Sequence, residues 1–307
     1  MKSDTNEKAD FSKVGDTALL VSYMKSFSGN MVSDEIARKT NARAVASRFF
    51  EDEKDMRAAL EWGPVMIESR NKGLTLQVQK IMALRDCRNV LEMGGGVALE
   101  RPLALTNYKE LRYSMTDYNA DLVRAQIQLA KTLGEGKAKG RENLLFSQAN
   151  ALSREDTLLA IASFEGKKYV KVSEGMLSYF TIPEREEYLA ISRETMPSGS
   201  AMVTTDFLTK KQIDAMIAGR PERKDLFIRM SGVTEKDLIE NAFDDDKHVE
   251  RVCEERGFDT QNIPVFTDGI DKLYSPDILM QREGVRVSYE DIHNARNRKV
   301  WILTPRD

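Results

Sequence analysis

Cysteine and histidine are scarce in this sequence, and their scarcity excludes several kinds of chemistry. The 307 residues include two cysteines, Cys87 and Cys253, and two histidines. Two thiols in a chain of this length form neither the disulfide framework of a small secreted protein nor a cysteine-rich zinc site. We therefore expect a chain without a bound metal, in a reducing, cytoplasmic environment.

Long apolar runs and an excess of positive charge are also lacking. No stretch approaches the roughly 20 apolar residues that a membrane-spanning helix requires, and the polar N-terminus lacks the apolar run of a signal peptide. With a net charge of −3, the chain has no bulk positive field to hold it on nucleic acid or anionic lipid. We expect a soluble monomer or homodimer that binds neither membranes nor nucleic acid.

Apolar segments that alternate with helical patterns indicate an α/β fold. From Gly15 to about Arg85, apolar residues such as Ile36 and Leu84 recur at helical spacing, and no strand is predicted there. Beyond that point, short apolar strands alternate with helices at about thirty residues per unit, which is typical of a parallel sheet covered on both faces. The strands are predicted at 88–93, 111–115, 143–147, 168–172, 200–205 and 299–303. Helices are predicted at 120–133 and at 183–194, the second beginning after a Thr181 cap.

One domain accommodates a chain of this length. We predict a Rossmann-like fold with a mostly parallel seven-stranded sheet, an N-terminal helical extension and an inserted helical lid. The predicted parts are a disordered tail at 1–14, an N-terminal helical cap at 15–86, a cofactor-binding core at 87–208, a helical lid at 209–250 and the C-terminal part of the sheet at 251–307.

The strongest local signal is a glycine loop, Gly94-Gly95-Gly96, directly after the first predicted strand. Glycines at this point let a ligand lie against bare backbone at the carboxyl ends of the strands. A dinucleotide, S-adenosylmethionine or a tight turn without a ligand would each explain the triplet. The dinucleotide fingerprint places a third glycine where this chain has Leu99. In addition, Glu92 completes an acid-x-Gly-x-Gly pattern that is common in methyltransferases with such a sheet, and the methyl donor is therefore favoured.

Two further polar residues follow the second and third strands. A carboxylate at Asp117 can accept hydrogen bonds from both hydroxyls of a ribose, which suits NAD as well as S-adenosylmethionine; alternatively, it caps an exposed turn. An amide at Asn150 has the acceptor and donors that an adenine amino group and its neighbours require, although asparagine in a loop often makes only a turn.

After the fourth predicted strand comes the run Glu174-Gly175-Met176-Leu177-Ser178-Tyr179, followed by a polar helix. This run is similar to the Glu-Gly-x-x-x-Tyr signature of the leucine carboxyl methyltransferase family, which includes protein phosphatase methyltransferases and bacterial O-methyltransferases of polyketide pathways. Further matches occur in the same order over most of residues 15–206, at Thr17-Ala18 with Lys25, at Asp34 with Ala37, and at Arg70.

The resemblance implies a class I methyltransferase that uses S-adenosylmethionine, releases S-adenosylhomocysteine, and methylates a carboxylate or hydroxyl of a small molecule or, alternatively, a protein carboxyl group. It implies that Lys25 and Arg70 hold the methionine carboxylate and that Glu174 lies beside the methionine amino group. It also implies that Glu92, Gly94 and Gly96 support the methionine part, Asp117 the ribose and Asn150 the adenine. The other residues expected to bind the cofactor are Gly95, Tyr118, Ala151 and Gly175.

The chain departs from the family where members often continue the glycine loop as Leu-Asp-Thr-Arg, because it has Val97-Ala98-Leu99-Glu100 instead. This departure leaves the substrate class open. Tyr179 is our candidate for orienting the acceptor, unless it is simply a packed aromatic side chain. We expect His248 to mark a helix start and His293 to lie at the surface, so that the acceptor requires little help from a base.

Three other functions are alternatives to methylation of a small molecule or a protein carboxyl group. A Rossmann-type NAD-dependent oxidoreductase would require the third glycine and a proton relay near the fourth or fifth strand. A nucleic-acid methyltransferase would require an Asn-Pro-Pro-Tyr-like loop or a basic tract. Neither set of features occurs in this sequence. A binding protein that has lost transfer activity is not excluded by an intact set of cofactor residues.

Overall fold

The architecture is given by a computed structural model. It describes residues 14–307 apart from 51, 107–109, 135–141, 219, 221, 226–227, 230–236, 267–269 and 271. The predicted tail at 1–14 lies outside the described residues except for its last position. Within the predicted lid at 209–250, residues 219, 221, 226–227 and 230–236 also lie outside the described residues.

Within the described part of the chain, seven strands form one mixed sheet in the order β3-β2-β1-β4-β5-β7-β6. Strands β1 to β5 are parallel, and β7 runs antiparallel to both of its neighbours. The strands are β1 (Asn89–Met93), β2 (Arg112–Asp117), β3 (Leu144–Gln148), β4 (Val170–Ser173), β5 (Ala201–Thr204), β6 (Phe258–Pro264) and β7 (Lys299–Pro305). The predicted α/β class and mostly parallel seven-stranded sheet are confirmed, with each of the six located strands within two residues of its predicted ends.

Burial explains which strands the sequence reveals. Every residue of β1, β4 and β5 is buried, because helices cover both faces of the parallel part of the sheet, and such strands read as short apolar runs. By contrast, β6 is an edge strand that pairs only with β7, and most of its residues are exposed or half-buried. Its sequence, Phe-Asp-Thr-Gln-Asn-Ile-Pro, lacks an apolar run, so we did not predict a strand at that position.

Helices fill the N-terminal region and separate the strands. They are α1 (Val14–Lys25), α2 (Met31–Lys39), α3 (Ala42–Ala46), α4 (Glu53–Leu60), α5 (Gly63–Arg85), α6 (Glu100–Leu105), α7 (Ala120–Gly134), α8 (Arg154–Ala160), α9 (Ile182–Thr195), α10 (Lys210–Ile217), α11 (Asp246–Glu255), α12 (Ser275–Glu283) and α13 (Tyr289–Asn297). The absence of a strand from the described residues before β1 confirms the predicted helical region.

The long helix α5 connects the N-terminal helices to the sheet. It packs against α1 and against β4, β5 and β7, so the side chains on its first half reach the carboxyl ends of the strands. Leu84, which we assigned to its apolar face, is 85% exposed, and that assignment is wrong. Leu84 lies in the last turn of the helix, one residue before it ends.

Local capping determines where two of the later helices begin. The Thr181 hydroxyl accepts a hydrogen bond from the backbone N–H of Glu184, and the N–H of Thr181 donates to the Glu184 carboxylate. This capping box confirms the predicted start of α9. Asp245 caps α11 by accepting from the backbone of His248, so His248 does mark a helix start. The helices α10 and α11 lie in the two ends of the predicted lid. In the described part of the chain, no helix is both long and apolar enough to cross a membrane.

A lysine lies in the middle of the sheet, where the environment opposes its charge. Lys171 on β4 is fully buried. Its Nζ donates to Ser192 Oγ at 2.8 Å and lies 4.2 Å from the ring centroid of Tyr188. Burial lowers the pKa of Lys171 from 10.5 to about 7.

Lys171 is expected to make the stability of the protein depend on pH in the alkaline range. Between about pH 7 and pH 10.5 the unfolded chain binds more protons at this residue than the folded chain does. The free energy of unfolding therefore rises with pH, by at most about 1.4 kcal/mol per pH unit. In urea unfolding, the free energy of unfolding of Lys171→Met should rise less between pH 7 and pH 9.5 than that of the wild type. Lys131→Met, at an exposed position, should leave the rise unchanged; equal slopes in all three proteins would contradict this prediction.

Candidate functional site

A deep cavity lies at the carboxyl ends of β1 to β4, between the strand-end loops and the helix α1. Every residue predicted to bind the cofactor lines this cavity, and so does Tyr179. The residues brought together are Lys25, Arg70, Glu92, Gly94, Gly95, Gly96, Asp117, Tyr118, Asn150, Ala151, Glu174 and Gly175. They are spread over 150 positions of the sequence, and the sheet topology is what places them side by side.

The glycine loop brings bare backbone to the wall of the cavity. Gly94 and Gly96 have φ angles of +66° and +55°, in the left-handed region that favours glycine. A Cβ atom added at Gly94 would lie 2.8 Å from Met176 Cγ, so a larger residue would also displace the loop after β4. The N–H of Gly95 donates to Thr116 O at 2.9 Å, which fixes the loop against β2.

Asp117 joins the glycine loop to the end of β2. Its Oδ2 accepts from the N–H of Gly96 and its Oδ1 from the N–H of Asn119, both at 3.0 Å. Burial raises the pKa of Asp117, and these backbone hydrogen bonds oppose the rise. Because an ionised carboxylate has about four acceptor positions, Asp117 retains capacity for hydroxyl donors from the cavity.

Asn150 makes a turn, which is the alternative to adenine binding. Its Oδ1 accepts from the N–H of Leu152 at 3.0 Å, while its own N–H donates to Asp156 Oδ2 at 2.8 Å. The residue still lines the cavity. Because a carbonyl oxygen has two lone pairs, this turn and a contact with an adenine amino group are compatible.

Buried ion pairs form the end of the cavity nearest α1 and α5. The Oε1 of Glu174 lies 3.1 Å from Arg70 Nε and 3.5 Å from Lys25 Nζ. Its Oε2 accepts from Arg101 and, at 3.2 Å, from Asn71 Nδ2. Although burial alone would raise the pKa of Glu174, the three cations around it hold that pKa well below its usual range. Glu174 is therefore ionised at neutral pH.

Arg101 is a central residue of this cluster that sequence reasoning missed. It is 2% exposed and pairs with both Glu92 and Glu174. Glu92 also accepts from the hydroxyl of Tyr113, beneath the glycine loop. The sequence feature that could have indicated its role is the charged pair Glu100-Arg101, which precedes an apolar stretch in a helix that is buried.

Asp206 is a second residue that we missed, and it shapes the loop after β4. Its carboxylate accepts from the backbone N–H groups of Gly175, Met176 and Leu177 at 2.7, 2.9 and 3.0 Å. These contacts hold Glu174 and Gly175 in place beside the cavity. The available signal was its position directly after β5, at the same edge of the sheet.

Tyr179 and the two histidines differ in their relation to the cavity. Burial raises the pKa of Tyr179, against a hydrogen bond from the Thr17 side chain, so its phenol stays protonated. The ring of His248 lies against Phe243, and that of His293 stacks on Tyr289. These are the only two histidines in the chain, and neither lines the cavity.

The fold is shared with a solved structure. Over 94% of its length the chain is similar to a proposed methyltransferase from Thermobifida fusca YX, with a TM-score of 0.57, 12% sequence identity and 94% of that chain covered. No protein-family model and no curated protein sequence matches the chain.

Two weaker similarities are to an O-methyltransferase family protein from Burkholderia thailandensis and to human N-acetylserotonin methyltransferase in complex with SAM. The first has a TM-score of 0.44 and 14% identity and covers 85% of this chain and 62% of the other. The second has a TM-score of 0.41 and 10% identity and covers 80% of this chain and 56% of the human protein chain. Of these three, the Thermobifida structure supports a conclusion about the fold, namely that the chain has the Rossmann-like fold of that protein.

Proposed function

We propose that this protein is a methyltransferase that uses S-adenosylmethionine. The observation that carries the proposal is the convergence, in one cavity, of a cationic pair, a bare glycine loop and a buried carboxylate at the end of β2. Lys25 and Arg70 suit the methionine carboxylate, and Asp117 suits the ribose hydroxyls. Asn150 suits the adenine at the far side of the cavity.

The charges of the cavity support this cofactor over a dinucleotide. Three buried carboxylates, Glu92, Glu100 and Glu174, surround the end of the cavity near the glycine loop. Three cations pair with these carboxylates, so this end of the cavity is close to neutral overall. It therefore suits the zwitterionic amino-acid group of S-adenosylmethionine better than the negative charges of a pyrophosphate. The N–H groups of Gly95 and Gly96 are already bonded to Thr116 and Asp117, so they are not available to phosphate oxygens.

The residues of the chain would act mainly by positioning. Bound S-adenosylmethionine supplies an electrophilic methyl group, and methyl transfer is an in-line displacement in which the acceptor oxygen forms the new bond as the carbon–sulfur bond breaks. Lys25 and Asn150 would hold the donor's two ends, which would limit the approach of the acceptor to one direction.

We propose O-methylation of a small molecule as the particular reaction, with a carboxylate as the favoured acceptor. A carboxylate is ionised at neutral pH and needs no base, which agrees with the absence of both histidines from the cavity. The protonated phenol of Tyr179 can donate a hydrogen bond that orients such an acceptor. Methylation of a protein carboxyl group is the second candidate, favoured by the Glu174–Tyr179 run that resembles the leucine carboxyl methyltransferase family.

Calorimetric titration with S-adenosylhomocysteine and with NAD tests the proposed cofactor. We expect S-adenosylhomocysteine to bind with a micromolar Kd and NAD to show no heat of binding. Arg70→Ala should weaken the binding of S-adenosylhomocysteine, because it removes a cation that suits the ligand carboxylate. Binding of NAD in place of S-adenosylhomocysteine would overturn the proposal.

A further inference from the structure

Glu100 has one buried carboxylate oxygen with no hydrogen-bond partner. Its Oε1 accepts from Ser33 Oγ at 2.7 Å, whereas its Oε2 is buried and accepts no hydrogen bond from the described residues. The residue is 6% exposed and lines the same cavity as Lys25 and Glu174. Because a buried acceptor without a partner is costly, this oxygen is a position where a ligand donor would be stabilised.

The neighbouring cation does not satisfy this oxygen. Lys25 Nζ lies 3.7 Å from Glu100 Oε2 and 3.5 Å from Glu174 Oε1. Both distances exceed the usual length of a charge-assisted hydrogen bond. Lys25 thus attracts both carboxylates through space, and it lines the cavity where it can also bind an anion.

Glu174 is less suited to an additional donor than Glu100 is. Arg70 and Lys25 lie beside its Oε1, while Arg101 and Asn71 donate to its Oε2. A further cation at Glu174 would be repelled by the three that already surround it. At Glu100, Lys25 is the single cation within 4 Å among the described residues.

We infer that Glu100 Oε2 accepts a hydrogen bond from the α-ammonium group of the cofactor's methionine part, and that Lys25 holds the adjacent carboxylate. The inference rests on the proposed function and deepens it, because it assigns the recognition of an amino-acid zwitterion to a Glu100–Lys25 pair. It also gives a role to the departure noted above, in which glutamate replaces the arginine that family members often have at this position.

The test compares two ligands that differ only in the amino group. Calorimetry measures the Kd of S-adenosylhomocysteine and of 5′-S-(3-carboxypropyl)-5′-thioadenosine, which lacks the α-amino group. The wild type should prefer S-adenosylhomocysteine by about 10- to 100-fold, as expected for a hydrogen bond to a buried charge. In Glu100→Gln most of this preference should be lost, with the affinity for the deaminated ligand nearly unchanged.

Glu174→Gln is the matched control, since it makes the same change of charge at the neighbouring carboxylate. It should change the affinities for both ligands by similar factors and keep their ratio. Ser33→Ala serves as a milder variant, because it removes the donor that orients Glu100 and should reduce the ratio in part, even if Glu100→Gln folds poorly.

The outcomes separate this inference from the proposed function. If the wild type binds neither ligand, the proposed function fails and the inference fails with it. If the wild type binds S-adenosylhomocysteine but Glu100→Gln and Ser33→Ala keep its preference, only the assignment to Glu100 is overturned. Loss of the preference in Glu174→Gln alone would transfer the ammonium contact to Glu174.

Discussion

Asp117→Ala is expected to weaken the binding of S-adenosylhomocysteine by about 100-fold or more. Two hydrogen bonds from ribose hydroxyls to a buried carboxylate contribute roughly 1.5–3 kcal/mol each, and about 1.4 kcal/mol corresponds to a factor of ten in Kd. The substitution also removes the acceptor of the Gly96 N–H, so the glycine loop loses its contact with the end of β2. Calorimetric titration of the variant and the wild type measures the effect.

Asp121→Ala is the control for this prediction. Asp121 lies four residues further on, in the exposed first turn of α7, and its removal should leave the Kd unchanged. A change of less than about threefold in Asp117→Ala would contradict the assignment of Asp117 to the ribose. The folded state of both variants is checked by thermal unfolding.

Arg101→Met is expected to destabilise the protein by about 3–5 kcal/mol at neutral pH. Removing one member of a buried ionic network leaves the charges of its partners uncompensated. In this case Glu92 and Glu174 both lose the guanidinium group that they share. Urea unfolding at pH 7 measures the loss. Arg124→Met, which removes an exposed ion pair with Asp121, should change the free energy of unfolding by less than about 1 kcal/mol.

The pH dependence of the Arg101→Met effect identifies its cause. In the wild type the pKa of Glu174 is lowered, so its contribution to stability is present above its unfolded pKa, near 4.3, and is lost as the pH falls further. In the variant, protonation neutralises the buried carboxylates that have lost their cation, and this raises the free energy of unfolding of the variant relative to that of the wild type. The difference in the free energy of unfolding between the two proteins should therefore become smaller from pH 7 to pH 4. A difference that stays constant would indicate that lost packing is the cause.

Most of the fold could be predicted from the sequence because buried parallel strands have a recognisable apolar sequence pattern. The strands β1, β4 and β5 are buried on both faces and appear as apolar runs, and the turn after β1 requires glycine at positive φ. The edge strand β6 has no such pattern. It is held in the sheet by pairing with β7, a tertiary relationship that its own residues do not encode.

Most of the site residues that could be predicted from the sequence are those that follow a strand. Asp117, Asn150 and Glu174 each follow a strand, and parallel topology brings such positions to one edge of the sheet. Arg101 and Glu100 were missed because their importance depends on their partners. Charged residues on a short helix read as a solvated surface until the fold buries them against Glu174 and Lys25.

A crystal structure of the protein with S-adenosylhomocysteine tests the central claim most directly. The account predicts the ribose hydroxyls within hydrogen-bond distance of Asp117, the amino-acid carboxylate beside Lys25 and Arg70, and the adenine beside Asn150. A ligand bound elsewhere, or one whose adenosine points away from the end of β2, would contradict the account.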